Sequence, residues 1–323
     1  MAIYNHKRYL YLKTSAIRNK NVTKNRDAMT SMNTTRNKKV VILGANGLLG
    51  HELLNNYFTS DWDISGHFGR SKETNGDLSI LSETISYLDS VQPEVIINLV
   101  ALTNVDYCET NPNESYLINV KVVENIVAWI ALQECRVHLV HISTDQVYDG
   151  EGLHSEDKPA LTNYYAFSKY AGELAAATRY TTILRTNFFG KSKAKSRVSF
   201  TDWLYHALIN KEKIQVFDDV YFSPLAMSSL SKMIALIIRK EVTGSYNLGS
   251  RQGLSKADFA FEFAEALGLD AGYMTRAKIA DIDFVKTYRP KDMRLDVNKF
   301  EQTLKVVLPT LQQEILKVSK EYT

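Results

Sequence analysis

The sequence predicts an α/β protein, a doubly wound parallel sheet with a smaller C-terminal α/β lobe. From Lys39 onward, short runs rich in β-branched residues alternate with longer amphipathic segments, which is the pattern of βαβ units. A glycine-rich turn directly follows the first of these runs. The length of 323 residues allows one large domain, or a domain with a second lobe, to bury a sizeable core.

The alternation predicts five strands before residue 187. They are expected at Val40–Leu43, Trp62–His67, Val95–Val100, Val137–Ile142 and Thr182–Arg185. Helices are expected at Gly47–Phe58, Pro112–Leu132, Ser199–Asn210, Ser229–Arg239 and Ser255–Leu267. After about Asn187 the rhythm is less regular, so we expect a second lobe over 188–323. Tyr246–Leu248 is a candidate for one more strand of the main sheet, which would interleave the two parts.

Basic residues are concentrated at the N-terminus, and the rest of the chain is acidic. Residues 1–39 hold ten of the 39 basic residues and one of the 36 acidic ones, so the remainder has a net charge of −6. An acidic body argues against a nucleic-acid partner, because phosphate contacts need clustered cations. We expect residues 1–38 to be a disordered basic extension, explained by a true start at Met29 or Met32 or, alternatively, by a transit peptide.

The cysteines and the hydropathy pattern bound the class of protein further. No apolar run reaches the ~18 residues that a membrane-spanning helix needs, so no membrane partner is expected. Cys108 and Cys135 form neither a disulfide framework nor a metal-ligand spacing. We therefore expect a cytoplasmic protein without a bound metal.

The turn after the first strand has the spacing G-x-x-G-x-x-G. Glycine suits this turn because the backbone is strained and a pyrophosphate must approach it closely, while the following helix N-terminus offers free N–H groups to the phosphates. Its place between a strand and a helix makes the pattern specific. The sequence therefore predicts a Rossmann-type dinucleotide-binding domain over 39–187, with cofactor contacts from Gly44, Asn46, Gly47, Leu48, Leu49 and Gly50.

The end of the second strand favours NADP over NAD. An acidic residue there would hold the ribose 2′-hydroxyl, whereas an arginine favours the 2′-phosphate. The sequence has Arg70 at this place and no acidic residue until Glu73. We therefore expect NADPH as cofactor, with NADH as the second choice. Asp77 is expected to bond the adenine amine, and further cofactor contacts are expected from Leu78, Val100, Ala101 and Leu102.

Tyr165 and Lys169 form the pattern expected of a carbonyl reductase. A nicotinamide-dependent reduction needs a proton donor beside the developing alkoxide, and a neighbouring lysine cation lowers the pKa of a tyrosine toward neutrality. Four residues' spacing puts both side chains on one helix face. Tyr9 and Lys13 have the same spacing, but they precede the fold, whereas Tyr165 follows the fourth strand.

Two more polar residues are expected near this pair. Thr144 follows the fourth strand, at the carboxyl end where a hydroxyl can hold a substrate oxygen, and we choose it over Ser143. Asn119 is a poor helix former inside a predicted helix. It is expected to brace the site or to hold a water near Lys169.

With these residues in place, the chain resembles the extended short-chain dehydrogenases, and within them the dTDP-4-dehydrorhamnose reductase family. The resemblance extends from Val40 to about Leu304. Its motifs are the glycine turn, Ala101–Asp106 with Glu109, Ser143–Gly150, Tyr165–Lys169, Leu184–Thr186, Ser223-Pro224, Tyr246–Gly249, Arg289-Pro290 and Arg294–Asp296.

The resemblance implies a hydride donor, NADPH or NADH, and a dTDP-linked 4-keto-6-deoxyhexose as acceptor. Carried onto this sequence, the catalytic set is Thr144, Tyr165 and Lys169. A homodimer is compatible with the resemblance. We expect the nucleotide-sugar substrate to contact Thr103, Val105, Asp145, Gln146 and Asn187.

Several positions depart from the pattern of that family, and they lie toward the sugar. Leu225 stands where a threonine is common, Ser229 where an aspartate is usual and Met293 where a serine is usual. The segment Asn187–Gly190 lacks a tryptophan that is often present. A related nucleotide sugar therefore stays open as the substrate.

Three other functions stay open on the sequence. A 4,6-dehydratase needs a glutamate where Gln146 stands, and an amide cannot act as the base. An epimerase would hold NAD permanently, which Arg70 opposes. A non-catalytic relative, like the regulatory subunit of methionine adenosyltransferase, is compatible with Tyr165 and Lys169, because such relatives can keep both residues.

Overall fold

A computed structural model of the chain describes residues 37–56, 62–69, 76–194, 197–282 and 285–323. Its strands are β1 (Lys38–Leu43), β2 (Trp62–His67), β3 (Val95–Asn98), β4 (His138–Ile142), β5 (Thr181–Thr186), β6 (Phe188–Phe189), β7 (Ile214–Phe217), β8 (Tyr221–Phe222), β9 (Leu225–Ala226), β10 (Gly244–Leu248), β11 (Leu254–Ser255) and β12 (Met274–Ala277). Apart from Asn37 and Lys38, the expected basic extension lies outside the described residues.

The helices are numbered in the same way along the described parts of the chain. They are α1 (Leu48–Asn56), α2 (Leu81–Val91), α3 (Val105–Thr110), α4 (Pro112–Tyr116), α5 (Val122–Ile130), α6 (Tyr164–Ala176), α7 (Phe200–Ile209), α8 (Met227–Lys240), α9 (Lys256–Leu267), α10 (Asn298–Leu304) and α11 (Leu311–Ser319). A π-helical turn, Leu117–Lys121, connects α4 to α5, and a short 3₁₀ turn, Asp145–Val147, follows β4.

Six parallel strands form the central sheet, in the order β10-β5-β4-β3-β1-β2. The chain passes from β1 to β2 on one side and then crosses to β3 on the other side of β1. This reversal creates a crevice between the carboxyl ends of β1 and β3, where ligands bind in open α/β sheets. The predicted doubly wound α/β fold is confirmed, and Tyr246–Leu248 lies in β10 as a strand of the main sheet.

Both faces of the sheet are covered, because successive residues of a strand point to opposite faces. In β1, Val40 and Ile42 face a core formed with α1 and α8, while Val41 and Leu43 face a second core formed with α2, α5 and α6. All four side chains are buried. The near-continuous apolar run of β1 in the sequence follows from this double burial.

A third core lies in the C-terminal lobe. It is rich in aromatic residues, and Phe259 of α9 contacts Phe189, Phe200, Phe222 and Phe263 at ring-centroid distances of 4.8–6.2 Å. Three two-stranded pairs, β8–β11, β7–β12 and β6–β9, border this core. The C-terminal half also contributes α8, β10 and α10 to the cores of the main sheet, so the two halves of the chain are interleaved.

The long helix predicted over Pro112–Leu132 differs from the structure. It is divided by the π-helical turn, whose residue Asn119 approaches α6 closely. A Cβ on Gly172 of α6 would lie 2.3 Å from the Asn119 carbonyl oxygen. A π-helical turn widens a helix by one residue, and this local change is not visible in a hydrophobic pattern of period 3.6.

The first helix packs onto the first strand with no room for a side chain at Gly50. A Cβ on Gly50 would lie 2.7 Å from the Ala45 Cα and carbonyl oxygen. Gly47 is different, since a Cβ there would meet only the Gly44 carbonyl oxygen, at 3.4 Å. The third glycine of the turn is therefore required for helix–strand packing.

We expect Gly50→Ala to destabilise the protein by about 1–3 kcal/mol, although alanine normally favours a helix over glycine. The reason is the clash with the Ala45 backbone, which cannot move without shifting α1 or β1. Thermal and urea unfolding would measure the change. Gly47→Ala is the matched control and should change stability far less. Equal stability of the two variants would contradict the packing argument.

Candidate active site

A cavity of about 520 Å³ opens at the carboxyl ends of β1, β3, β4 and β5. Its volume lies within the range usual for small-molecule sites. Most of the residues predicted to bind cofactor or substrate line it, namely Gly44, Asn46, Gly47, Leu48, Leu49, Gly50, Asp77, Leu78, Val100, Ala101, Thr103, Thr144, Asp145, Gln146, Tyr165, Lys169 and Asn187. Leu102, Val105 and Asn119 are not among its lining residues, and Arg70 lies outside the described residues.

The glycine turn has the geometry that a dinucleotide needs. Gly44 has φ +80°, in the region that favours glycine, and a Cβ there would lie 3.1 Å from the backbone of Leu99 and Val100. The amides of Gly44 and Ala45 donate to the His67 carbonyl oxygen at 3.1 and 2.9 Å. The α1 N-terminus follows at Leu48 and offers its N–H groups to the cavity. These residues fit a pyrophosphate.

His67, at the end of β2, lines the cavity and was not predicted from the sequence. Its Nε2 lies 3.0 Å from the Gly76 carbonyl oxygen, and burial lowers its pKa. The Tyr87 ring packs edge-on against it. Asp77 also lines the cavity, and its Oδ1 accepts hydrogen bonds from the Ser79 amide and hydroxyl. His67 and Asp77 thus bring polar groups to this end of the cavity.

Tyr165 lies in the first turn of α6, which Asn163 caps by accepting from the Ala166 amide at 2.8 Å. The ring is buried against Val105 and Cys108. Burial raises the pKa of Tyr165, the nearby Asp145 and Cys108 raise it further, and a hydrogen bond with Thr144 opposes them. The hydroxyl therefore keeps its proton at neutral pH.

Lys169 lies one turn further along α6, and its side chain is buried. The Nζ donates to the Ile142 carbonyl oxygen at 2.8 Å. Burial lowers the pKa of Lys169 to about 8, and the charge of Glu173 opposes this shift. The sequence predicted that Lys169 lowers the pKa of Tyr165. In the structure the pKa of Tyr165 is raised instead, because burial outweighs the contact that lowers it.

The two hydroxyls after β4 have different partners. Thr144 Oγ1 accepts from the Gln146 amide at 3.2 Å and donates to Asp145 Oδ1 at 3.3 Å, and it is near enough to Tyr165 to lower the pKa of that residue. Ser143 Oγ donates to Glu173 Oε1 at 2.5 Å. Of the two, Thr144 is the one aligned with Tyr165, as the prediction requires.

Asn119 braces the loop after β3 and does not reach the cavity. Its Oδ1 accepts from the Leu102 amide at 2.8 Å, and its Nδ2 donates to the Leu102 carbonyl oxygen and to Ser168 Oγ at 3.1 and 2.9 Å. With these contacts the side chain connects Leu102 to α6. The π-helical turn also brings Ile118 and Val122, on either side of Asn119, into the cavity wall, which the sequence did not suggest.

Asp145 is a buried carboxyl group that lines the cavity. Burial raises its pKa to about 6, although the Asn187 amide, which donates to Oδ2 at 2.7 Å, and the charge of Lys256 act in the opposite direction. Lys256, the first residue of α9, was missed in the sequence. No local motif in the sequence indicates Lys256, because it comes close to Asp145 only when the C-terminal lobe has folded.

The described residues also bear on metal ions and membranes as partners. In the described parts of the chain, no group of three or more His, Cys, Asp or Glu side chains is arranged to hold a metal ion. No helix in those same ranges is long and apolar enough to cross a membrane.

A doubly wound sheet, a glycine turn at its switch point and a Tyr–Lys pair beside the resulting cavity define an NAD(P)H-dependent oxidoreductase of the short-chain dehydrogenase type. The family model described as RmlD substrate binding domain matches residues 38–323, and the chain belongs to this family. The predicted resemblance to the dTDP-4-dehydrorhamnose reductases is confirmed.

Three relatives illustrate the range of the family. A probable low-salt glycan biosynthesis reductase of Haloferax volcanii is 26% identical over 287 residues, covering 85% of this chain and 95% of the relative. A dTDP-4-dehydrorhamnose reductase from Bacillus anthracis, solved in complex with NADP, is 25% identical with a TM-score of 0.79, covering 88% of this chain and 99% of that one. Methionine adenosyltransferase 2 subunit beta of Rattus norvegicus is 25% identical and covers 82% of each chain.

We expect Asp145→Asn to stabilise the protein at pH 7 by about 1–3 kcal/mol. The folded-state pKa of about 6 lies above the usual 3.8, so Asp145 favours folding below pH 3.8 and loses this contribution as pH rises through 6. Urea unfolding at pH 4 and pH 7 would measure the effect, which should vanish at pH 4.

Asp292→Asn is the matched control for this prediction. Asp292 is buried as well, but its pKa is lowered because hydrogen bonds from Arg294 and Gly152 outweigh the effect of burial. Its amide variant should therefore lose stability at pH 7. Equal signs for the two variants would contradict the assignment of Asp145.

Proposed function

We propose that the chain reduces the keto group of a nucleotide-linked 4-keto-6-deoxy sugar, with NADPH as hydride donor and NADH as the alternative. The observation that carries the proposal is the meeting of Thr144, Tyr165 and Lys169 at one cavity that also contains the glycine turn. The relatives that are named reductases, one of them solved with NADP, support the same chemistry.

The residues proposed to hold the dinucleotide follow the cavity wall from β1 to α6. The glycine turn would bind the pyrophosphate, and Asp77 and Leu78 would contact the adenine. The small residues Val100 and Ala101 would lie against the nicotinamide half, with Lys169 bonding its ribose. Leu102 and Asn119 would act indirectly, since they shape the loop after β3.

In the proposed reaction, a bound nicotinamide supplies the hydride to the keto carbon. Tyr165 donates its proton to the developing alkoxide, which its raised pKa permits, because the hydroxyl is protonated at neutral pH. Thr144 hydrogen-bonds the same oxygen and orients it toward Tyr165. The charged Lys169 stabilises the tyrosinate that remains.

On the substrate side, we propose that Thr103, Asp145, Gln146 and Asn187 contact the sugar. Asn187 and Asp145 are already joined by a hydrogen bond, so they form one polar unit beside Thr144. Val105 packs beneath Tyr165 and would support the ring. Gln146 has no carboxylate, which argues against the base step of a dehydratase.

A second candidate function is a non-catalytic, NADP-binding regulatory subunit. The observation that favours it is the 25% identity to methionine adenosyltransferase 2 subunit beta over most of both chains. Turnover by the isolated chain distinguishes the two functions.

For the division of the chain, we propose a cofactor part over 39–187 and a sugar-binding lobe over 188–323, interleaved through β10.

Tyr165→Phe should reduce turnover by at least ~100-fold, because it removes the proton donor and keeps the ring that packs on Cys108. NADPH oxidation with an enzymatically prepared dTDP-4-keto-6-deoxyhexose, followed by absorbance, gives the rate. NADPH affinity should stay nearly unchanged. Tyr164→Phe, one residue earlier, is the matched control and should keep wild-type activity.

Unchanged turnover of the Tyr165→Phe variant would remove Tyr165 from the mechanism. Tight NADP binding by the wild-type chain with no oxidation, across a panel of nucleotide keto-sugars, would favour the regulatory-subunit function instead.

The pH dependence of kcat/KM should show a decline above about pH 8. The reason is the lowered pKa of Lys169, since the ammonium loses its charge as pH rises through that value while Tyr165 stays protonated. Initial rates between pH 6 and 10 at constant ionic strength would measure it. Lys169→Arg keeps its charge throughout, so its lower activity should not decline in this range. A flat wild-type profile to pH 10 would refute the assignment.

A further inference from the structure

Glu173 is a buried carboxylate in the last turn of the helix α6, four residues after Lys169. Its side chain is 3% exposed, and that of its partner Arg185 is 5% exposed. A buried charge is costly unless it is paired and hydrogen-bonded. The catalytic step proposed above does not use Glu173, so its position needs a separate explanation.

The partners of Glu173 hold its side chain in one orientation. Arg185 of β5 donates from Nε to both carboxylate oxygens at 3.0 Å and from Nη2 to Oε2 at 2.7 Å. Ser143 Oγ donates to Oε1 at 2.5 Å. Arg185 is itself fixed by bonds to the Tyr148 hydroxyl and the Glu156 carbonyl oxygen. Charge-assisted, bidentate contacts of this kind are short and directional, so they fix the side chain in place.

Lys169 and Glu173 share the buried face of α6 and meet successive residues at the end of β4. The Lys169 ammonium donates to the carbonyl oxygen of Ile142, and Glu173 accepts from the hydroxyl of Ser143. The same short stretch of backbone therefore fixes both groups. Residues four apart on a helix face are neighbours, and opposite charges there attract.

The other groups around Lys169 do not supply a balancing negative charge. His141 of β4 faces it and is neutral, because burial, and then Lys169 itself, keep its pKa well below the usual value. Asn98 Nδ2 lies 3.1 Å from His141 Nδ1. Tyr165, on the same helix, keeps its proton. Asp145, after β4, is joined to Asn187 and acts on Tyr165 and Lys256. Glu173 remains the group that opposes the loss of charge on Lys169.

We propose that Glu173 is a positioning residue of the reaction, whose negative charge supports the buried ammonium of Lys169 and whose side chain is fixed by Arg185 and Ser143. The inference rests on the proposed function in one respect, that Lys169 acts beside Tyr165. It adds a supporting layer behind Lys169, in which Arg185 of β5 holds Glu173 of α6. No covalent step is involved.

The test measures the titration of Lys169 directly and needs no sugar substrate. The whole chain is labelled with [ε-¹³C]lysine, and the Lys169 signal is identified by its absence in Lys169→Arg. In Glu173→Gln, the midpoint of the Lys169 titration should fall by about one to three pH units. This is the size expected when a neighbouring opposite charge is removed. An unchanged midpoint would overturn the proposal.

Because Glu173→Gln leaves Arg185 buried without its partner, that variant can fail to fold. The double variant Glu173→Gln/Arg185→Gln removes both charges together. Glu173 lies one turn from Lys169 on the same helix, whereas Arg185 lies on β5, so the midpoint should fall in the double variant as well. A midpoint equal to that of the wild type would again overturn the proposal.

Glu314→Gln is the matched control for a purely structural effect. Glu314 is a buried carboxylate of the C-terminal lobe that accepts from the Ala226 amide at 2.6 Å and from Ser229 at 2.8 Å. It should lose stability and leave the Lys169 midpoint in place. With a keto-sugar substrate, the alkaline decline of kcat/KM should move to lower pH for Glu173→Gln and not for Glu314→Gln.

The outcomes separate this inference from the proposed function. A lowered Lys169 midpoint in a chain that never oxidises NADPH would support the role of Glu173 and reject the reductase function. Turnover with an unchanged midpoint would support the reductase and reject the role of Glu173.

Discussion

The position of the site depends on a close contact between two backbone segments at the switch point of the sheet. Gly44 packs on the backbone of Leu99 and Val100 with no side chain between them, and its amide bonds the carbonyl oxygen of His67. The first three strands are therefore joined at their carboxyl ends. The loop after β3 takes its position from this contact, and Asn119 transmits it to the catalytic helix through Ser168.

Burial is the main cause of the shifted pKa values of the ionisable groups at the site. The same exclusion of water raises the pKa of Tyr165 and of Asp145 and lowers that of Lys169. Nearby groups oppose these shifts, namely Glu173 for Lys169, and Asn187 and Lys256 for Asp145. The proposed reaction needs a protonated donor beside a cation, and Tyr165 and Lys169 would provide the two.

Local patterns in the sequence were sufficient for the sheet, the glycine turn and the Tyr165–Lys169 pair, because each depends on a strand or helix period and on glycine chemistry. They were insufficient wherever distant segments meet. Lys256 approaches Asp145 only after the C-terminal lobe has folded, and the Ser143–Glu173 contact joins residues 30 apart. The π-helical turn packs closely against Gly172, a contact between distant segments that local propensity does not indicate. The raised pKa of Tyr165 was likewise not predictable from local patterns, because it depends on the burial of the ring in the folded protein.

The late position of β10 in the chain affects how the protein is made. Five strands of the main sheet are complete by Thr186, but the edge of β5 stays open until Gly244–Leu248 pairs with it, some 60 residues later. The apolar side chains of α8 that cover one sheet face also arrive only after residue 227. During synthesis the edge of β5 and one apolar face of the sheet therefore wait for segments that emerge later, and contacts between such distant segments slow folding in general.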